Sequence, residues 1–168
     1  MLKKLYLIAI LISLNFYVHA QKDWVKQKFD DKLTIAFPAE AKKVSESTYI
    51  ARDTTGTVFG VVVVPIDKSS FLEATATDSL LTRIKFIDVV VGGIKSKMPK
   101  YAIGDIKVNQ VNNIKTYSLE GVNDENKSTV YINIFLLNDI SYSLTCFVPA
   151  GISTANKDVF FKGFSVSK

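Results

Sequence analysis

The sequence predicts an α+β domain in which a mainly antiparallel sheet of six or seven strands is covered by helices. Three observations lead to this prediction. Short segments of alternating or β-branched apolar residues recur along the chain, short connections rich in turn-forming residues join the last four segments, and two other segments carry apolar residues at helical spacing. No internal repeat or low-complexity linker interrupts this order.

The first twenty residues have the pattern of an export signal. Two lysines precede the apolar run Leu5–Leu14, and compact residues end the segment at Ala20. The apolar run is shorter than the roughly 20 residues that a membrane-spanning helix needs, so a retained anchor is the second interpretation. We therefore expect a signal peptide over 1–20, cleavage between Ala20 and Gln21, and a periplasmic or secreted protein without stable membrane insertion.

Cleavage at this point would remove His19, the one histidine of the chain. Imidazole is the side chain whose ordinary pKa lies nearest neutrality, and it is the commonest general base and transition-metal ligand. Without it, Ser-His-Asp and Cys-His catalysis and the usual zinc sites are not expected. The sequence accordingly predicts no catalytic, cofactor-binding or metal-binding residue, although a hydrolase that uses carboxylates alone remains a third hypothesis.

The predicted mature chain is long enough for a single domain over 21–168. Removing 20 of 168 residues leaves 148, and removing Lys3 and Lys4 lowers the basic residues from 21 to 19 against 16 acidic ones, so the net charge falls from +5 to +3. Arginine, which suits bidentate recognition of phosphate and guanine, occurs at two positions, Arg52 and Arg83. Nucleic acid is therefore not an expected partner.

Cys146 is the single cysteine, so an intramolecular disulfide is impossible. It lies in the segment ISYSLTCFV, where alternation places it on one face with Tyr142, Leu144 and Val148. We expect a buried and inert thiol.

The N-terminal half of the predicted domain contains a strand and a hairpin. The first strand is predicted over Lys32–Phe37, because Leu, Ile and Phe alternate there with Thr and Ala before Pro38. The segments STYIARD and TVFGVVVVPI then form a hairpin, with Asp53 and Gly56 in its turn. The run Val61–Val64 is apolar on both faces, which predicts a central strand.

The main helix is predicted over TDSLLTRIKFIDVVVGGIKSKMP. Thr77 is the expected N-cap, Asp78 lies in the first turn, and Pro99 ends any continuation. The apolar stripe consists of Leu80, Ile84, Ile87, Val91 and Ile94. Gly92 and Gly93 would each cost about 1 kcal/mol in a helix interior. The helix from Asp78 therefore either ends near Val91 or passes both glycines, and a strand at this point is the second interpretation.

Four strands and a closing helix are predicted in the C-terminal half. The strands are AIGDIKVNQ, IKTYSLEGV, STVYINIFLL and ISYSLTCFV, and their short connections indicate antiparallel neighbours. The closing helix begins at Ser153 or Thr154 and packs against the sheet through Val159, Phe160 and Phe164.

This order of elements resembles the PsbP-like family. The similar segments are LTIAFPAEAKKVSE, which resembles the opening strand ending in Phe-Pro; IKTYSLEG, a central Tyr-bearing strand; the paired strands VYINIFLLNDISYSLTCFV; and DVFFKGFSV, a closing helix and strand. The family's usual closing Ser-Phe is here Gly163-Phe164. The resemblance implies a three-layer α/β/α sandwich, shared by an extrinsic photosystem subunit, a Ran-binding nuclear import factor and small exported bacterial proteins. It also implies accessory or binding roles without catalysis.

The leading hypothesis is an exported, non-catalytic accessory or protein-binding domain of the cell envelope. A partner surface is predicted at Lys95, Lys97, Lys100 and Tyr101, with a solvated loop as the alternative interpretation. The NDENK segment, Asn123–Lys127, is interpreted as a hairpin tip because it lacks the spacing of a calcium loop. The second functional hypothesis is a carrier that encloses a small apolar ligand between the sheet and the main helix.

Overall fold

The fold is described from a computed structural model that covers residues 24–66, 79–137 and 139–167, without the side chains of 79–86. The elements in chain order are β1 (Val25–Lys28), β2 (Leu33–Phe37), β3 (Lys42–Lys43), β4 (Thr48–Arg52), β5 (Val58–Pro65), α1 (Ser79–Lys97), β6 (Tyr101–Ile103), β7 (Lys107–Val111), β8 (Ile114–Asn123), β9 (Thr129–Leu137), β10 (Ile140–Val148), α2 (Ala155–Lys162) and β11 (Phe164–Val166). The described residues thus form an α+β fold with two helices.

An eight-stranded antiparallel sheet lies at the centre of the molecule. Seven strands follow one another in the order β3-β4-β5-β10-β9-β8-β6, and β7 pairs with the same edge of β8 as β6 does. The strands β9 and β10 pair over their whole length, with Cys146 opposite Tyr131. Alternation sends Tyr142, Leu144, Cys146 and Val148 to one face, where all four are buried. The predicted orientation of Cys146 is therefore confirmed.

Helix α1 covers the other face of this sheet. Ile87 and Val91 are buried against a cluster that includes Leu119 and Ile132, and Ile94 packs at its margin. The helix passes Gly92 and Gly93, so the interpretations that end it near Val91 or replace it by a strand are wrong. Both glycines lie on the exposed side with open space around them, and the buried Val91 before them and the half-buried Ile94 after them stabilise the continuous helix. The predicted cap at Thr77 and Asp78 lies outside the described residues.

A short third layer packs on the face that carries Cys146. It consists of α2 and a separate three-stranded sheet in the order β1-β2-β11, whose residues Leu33, Ile35 and Phe37 are fully buried. The prediction of a six- to seven-stranded sheet covered by helices on both sides is therefore correct only in part. One side of the sheet carries a helix, whereas the other carries a helix together with a second sheet.

Several predicted element boundaries were wrong for local reasons. The charged segment that contains β1 was not predicted as a strand, because its apolar content is low and its pairing with β2 is a tertiary effect. The single strand predicted over AIGDIKVNQ is divided into β6 and β7, with the N–H of Gly104 donating to the carbonyl of Glu120 at the interruption. In α2, Phe160 and Phe161 are buried while Val159 is exposed, and Phe164 belongs to β11.

The β7–β8 hairpin is tied to the C-terminal segment by one side chain. Asn112 and Asn113 form its two-residue turn, with φ angles of 51° and 64° that asparagine tolerates better than most residues. The Nδ2 group of Asn112 donates to the carbonyl oxygens of Lys162 at 3.2 Å and of Phe164 at 2.6 Å. This side chain therefore fixes the end of α2 and the start of β11 against the hairpin.

Replacing Asn112 by glycine should lower the free energy of unfolding by about 1 to 2 kcal/mol, because it removes both side-chain hydrogen bonds while keeping the turn geometry accessible. Urea denaturation of N112G and of the wild-type chain measures the difference. N113G is the matched control, since it adds the same backbone freedom at a residue whose side chain has no hydrogen bond to the described part of the chain. Equal losses in the two variants would contradict the role of Asn112.

Candidate binding site

A groove crosses the main sheet beside α2, where the third layer ends. Its volume is about 770 Å³, and it is open to solvent. Its floor comes from β8 and β9, and its walls come from α2 on one side and from the β6–β7 segment on the other. We call it the α2 groove; it is lined by residues that include Ser118 and Glu120 of β8, Tyr131 and Asn133 of β9, Lys157, Phe161 and Lys162 of α2, and Asp105, Lys107 and Asn109.

Asn133 is the distinctive residue of the floor. It lies between Tyr131 and Phe135 on the inward-facing side of β9, a position at which alternation would place an apolar side chain. Only 8% of the residue is exposed, yet its carboxamide has no hydrogen-bond partner among the described residues. The amide atoms nevertheless reach the solvent in the groove: among the described residues, the buried side-chain polar atom without a hydrogen-bond partner is Oγ1 of Thr116. The groove therefore presents an amide that a ligand could satisfy.

The α2 wall contributes a cation held over an aromatic ring. The Nζ atom of Lys157 lies 4.5 Å from the centroid of Tyr131 and 2.8 Å from Oδ1 of Asp158. The Lys157 side chain is 18% exposed, so most of its charge is balanced inside the wall by the ring and the carboxylate. One face of Tyr131 is thus covered by this ammonium group.

Unpaired charges of both signs line the rest of the groove. Lys107 and Lys162 supply two positive charges, and Asp105 and Glu120 supply two negative charges. None of these four side chains forms an ion pair within the described part of the chain. The groove therefore has no strong preference for an anion or a cation, and it suits a ligand that is neutral overall and rich in hydrogen-bonding groups.

Cys146 lies opposite Tyr131 on the neighbouring strand β10 and does not line the groove. The residue is fully buried, and burial raises the pKa of its thiol to about 12. A thiol in this state stays protonated near neutral pH and is a poor nucleophile. Within residues 24–66, 79–137 and 139–167, no group of three or more His, Cys, Asp and Glu side chains is arranged to hold a metal ion.

The predicted partner residues lie on the opposite side of the sheet, beside α1. Lys95 and Lys97 are exposed in its last turn. Lys100 forms an ion pair with Glu125 at 2.9 Å, and the Tyr101 hydroxyl lies 3.0 Å from Oγ of Ser128. These four residues form a basic rim in which the lysines are exposed and Tyr101 is half-buried, and their role in partner binding stays a prediction.

The structure also clarifies the interpretation of the NDENK segment and places two aromatic residues of the sheet. The NDENK segment is a hairpin turn in which Oδ1 of Asn123 accepts hydrogen bonds from the backbone of Glu125 and Asn126, as the hairpin interpretation predicted. Phe135 and Phe147 pack on opposite faces: Phe135 stacks on Phe164 at 4.7 Å, and Phe147 packs with the cluster beneath α1. The sequence prediction did not identify Asn133, although a lone polar residue at an inward position of a strand was the available signal.

Comparison with protein-family models and with curated proteins finds no match. Among solved structures, the chain is similar to the cyanobacterial PsbP protein CyanoP from Synechocystis sp. PCC 6803, with 12% identity, a TM-score of 0.52 and coverage of 88% of this chain and 96% of that one. The chain has a PsbP-like fold.

Two further structures complete the comparison. A protein from Bacteroides thetaiotaomicron VPI-5482 gives 10% identity and a TM-score of 0.51 over 81% of this chain, which spans 45% of that longer one. The Ran-binding protein Mog1p from Saccharomyces cerevisiae gives 10% identity and a TM-score of 0.46, with coverage of 86% and 96%. The two structures with TM-scores above 0.5 share the fold with this chain, at identities that transfer no residue roles. Across the described ranges, every helix is too short or too polar to cross a membrane.

A carboxylate in the β4–β5 turn fixes the α2 wall. Oδ1 of Asp53 accepts hydrogen bonds from the backbone of Thr55 and Thr57, and Oδ2 accepts one from Nδ2 of Asn156 in α2 at 2.8 Å. Burial acts to raise the pKa of Asp53, but these hydrogen bonds outweigh it, so the pKa lies below its ordinary value of 3.8. Because the pKa is lowered in the folded chain, the ionised carboxylate stabilises the fold at pH values above the ordinary pKa of 3.8. This contribution is lost as the pH falls through the lowered pKa of the folded chain.

Replacing Asp53 by asparagine should lower the free energy of unfolding by about 1 kcal/mol at neutral pH, because the charge-assisted hydrogen bonds are lost. The difference in the free energy of unfolding between D53N and the wild-type chain should become smaller as the pH falls below 3.8, because the wild-type carboxylate then becomes protonated. Urea denaturation across this pH range measures both effects. D31N is the control: Asp31 is fully exposed and, among the described residues, bonds to Lys28 alone, so this substitution should leave the unfolding midpoint nearly unchanged. A pH-independent difference for D53N would contradict this role.

Proposed function

We propose that this chain is an exported, non-catalytic accessory domain of the cell envelope that binds a segment of a protein partner in the α2 groove. The observation that carries the proposal is Asn133, whose carboxamide reaches the solvent in the groove and has no hydrogen-bond partner in the described chain. A ligand that pairs with this amide would exchange its contacts with solvent for direct hydrogen bonds, each of which contributes about 0.5–1.5 kcal/mol.

The chemistry of the groove favours a polypeptide as the ligand. A carboxamide carries a donor and an acceptor side by side, which matches the N–H and C=O groups of a peptide. The two unpaired lysines and two unpaired carboxylates can each meet an opposite charge on a partner segment. A sugar would instead be expected to stack on an open aromatic face, whereas Tyr131 has an ammonium group over its ring and Phe161 is buried.

The carrier of an apolar ligand remains the alternative hypothesis. This hypothesis rests on the apolar residues that the strands carry on both faces. In the structure those residues pack against α1 on one face and against the third layer on the other. The α2 groove itself is floored by Ser118, Glu120 and Asn133, which would lose water contacts to an apolar ligand without compensation. The groove therefore favours the binding of a polar segment.

Site-specific photo-crosslinking in the native host should identify the surface that binds the partner. A photoreactive residue at Lys162, on the groove wall, is expected to give a discrete adduct with a second chain. A photoreactive residue at Lys95 probes the rim beside α1 in the same way. The variant N133L should reduce the Lys162 adduct about tenfold, because it replaces the amide by an apolar group of similar size and removes its hydrogen bonds.

Three outcomes separate the hypotheses. Adducts formed from position 162 that are lost in N133L support binding of the partner in the α2 groove. This conclusion requires that N133L unfolds at the same urea concentration as the wild-type chain. Adducts from Lys95 alone would contradict the groove and favour the basic rim. No adduct from either position, together with a small apolar molecule released on solvent extraction, would favour the carrier.

Export makes a separate prediction about the mature chain. Protein purified from the envelope of its host should have a mass that begins at Gln21, or that mass reduced by cyclisation of the N-terminal glutamine. Intact-protein mass spectrometry measures this directly, and the cytosolic fraction is the control. A chain that still begins at Met1 in the envelope would contradict cleavage of the predicted signal.

A further inference from the structure

The sheet edges of this molecule differ in how they are protected from pairing with other chains. An exposed edge strand presents unpaired N–H and C=O groups, and proteins commonly block such edges with very short strands or with lysines. On the main sheet, β3 consists of two lysines, Lys42 and Lys43. On the small sheet, β1 carries Lys26 and Lys28, and β11 has three residues. These three edges are therefore short or charged.

Strand β7 lacks this protection. Its five residues, KVNQV, contain one lysine and no proline, and Val108 is 59% exposed. Among the described residues, β7 pairs with β8 alone, so its outer edge has no strand beside it. The hydrogen bonds of Asn112 to the carbonyls of Lys162 and Phe164 also hold the β7–β8 hairpin in place. The edge is thus both open and fixed in position.

The register of the hairpin defines which groups face outward. Val111 and Ile114 are the pair that closes the two-residue turn, so their main-chain groups bond to each other across the hairpin. Alternation then directs the main-chain groups of Asn109 and Lys107 towards β8. It directs those of Val108 and Gln110 away from β8, towards the open edge.

We propose that β7 pairs with β7 of a second copy of this chain, in antiparallel orientation with Asn109 opposite Asn109. This register overlaps all five residues of both strands. It places Val108 opposite Gln110 of the other copy, so that the outward main-chain groups of both strands meet. It places Lys107 opposite Val111 of the other copy, which keeps the two lysines apart.

The second copy is favoured because the main-chain groups of the strand match those of an identical antiparallel strand, and because this register keeps the like charges of the two Lys107 residues apart. Pairing of two five-residue strands buries less area than the roughly 1,200–2,000 Å² of standard stable interfaces, so the dimer should be weak and should dissociate on dilution. The proposal rests on the main-chain edge of β7 and requires neither a ligand in the α2 groove nor the export of the chain.

Sedimentation equilibrium tests the proposal with the full mature chain. The wild-type chain should pass from monomer to dimer as its concentration rises towards the order of 1 mM. V108P should weaken the dimer at least about tenfold, because proline removes an N–H that faces outward and makes no bond within β7–β8. V108A is the matched control, since it loses apolar atoms but keeps this N–H. V108P and V108A should unfold at similar urea concentrations.

Cysteine crosslinking tests the register. Cα atoms of a non-hydrogen-bonded antiparallel pair lie about 4.5 Å apart, within the range that a disulfide spans. Oxidised N109C should therefore form a disulfide-linked dimer, whereas Q110C should stay largely unlinked because it faces Val108 of the other copy. The native Cys146 is buried and does not interfere. A wild-type chain that stays monomeric over the whole concentration range, or N109C that links no better than Q110C, would overturn the proposal.

Discussion

The groove side of this molecule depends on the position of one aromatic side chain, Phe160. Its ring lies 5.3 Å from Phe37 of the small sheet and 5.2 Å from Phe59 of the main sheet, measured between ring centroids. All three residues are fully buried. Each such aromatic pair contributes about 0.5–1.5 kcal/mol beyond the burial of its area. Phe160 therefore joins the helix, the small sheet and the main sheet in one contact.

The position of α2 follows from this contact, and the groove follows from the position of α2. An eight-residue helix is too short to be stable alone, so packing must fix it. Once Phe160 is inserted, the next residue, Phe161, and the preceding Lys157 form the wall of the groove. The third layer ends there, so the floor over β8 and β9 stays accessible. Asn133 can remain polar at an inward position because no helix lies over its carboxamide.

The regular strands of this architecture could be predicted from the sequence, because the alternation of apolar and polar residues shows which side chains are buried. Strands β8, β9 and β10 and the orientation of Cys146 follow from residues two positions apart. The PsbP-like fold, expected from resemblance, agrees with the similarity to CyanoP. Strand β1 and the passage of α1 through Gly92 and Gly93 could not be predicted in this way. Both depend on packing against distant residues, which outweighs local preference.

The candidate site was harder to predict than the fold for the same reason. A groove arises where a layer ends, and the end of the third layer depends on the contacts of α2 with β2 and β5. Lys157, for example, stands in a segment predicted only as a closing helix, and its place over Tyr131 requires the register between that helix and β9. The basic residues beside α1 were easier to notice because they are close in sequence. Proximity along the chain does not by itself create a concave surface.

Residues of β7 form part of the lining of the α2 groove, which has a geometric consequence. Lys107 and Asn109 belong to β7, and their side chains line the groove. Directly opposed residues of an antiparallel pair project from the same face of the sheet. With Asn109 opposite Asn109, the grooves of two paired copies would open on the same side of one continuous sheet. Two partner segments on one molecule would then bind with an avidity greater than either single affinity, because the second contact becomes intramolecular. A weak association of the copies is sufficient for this effect.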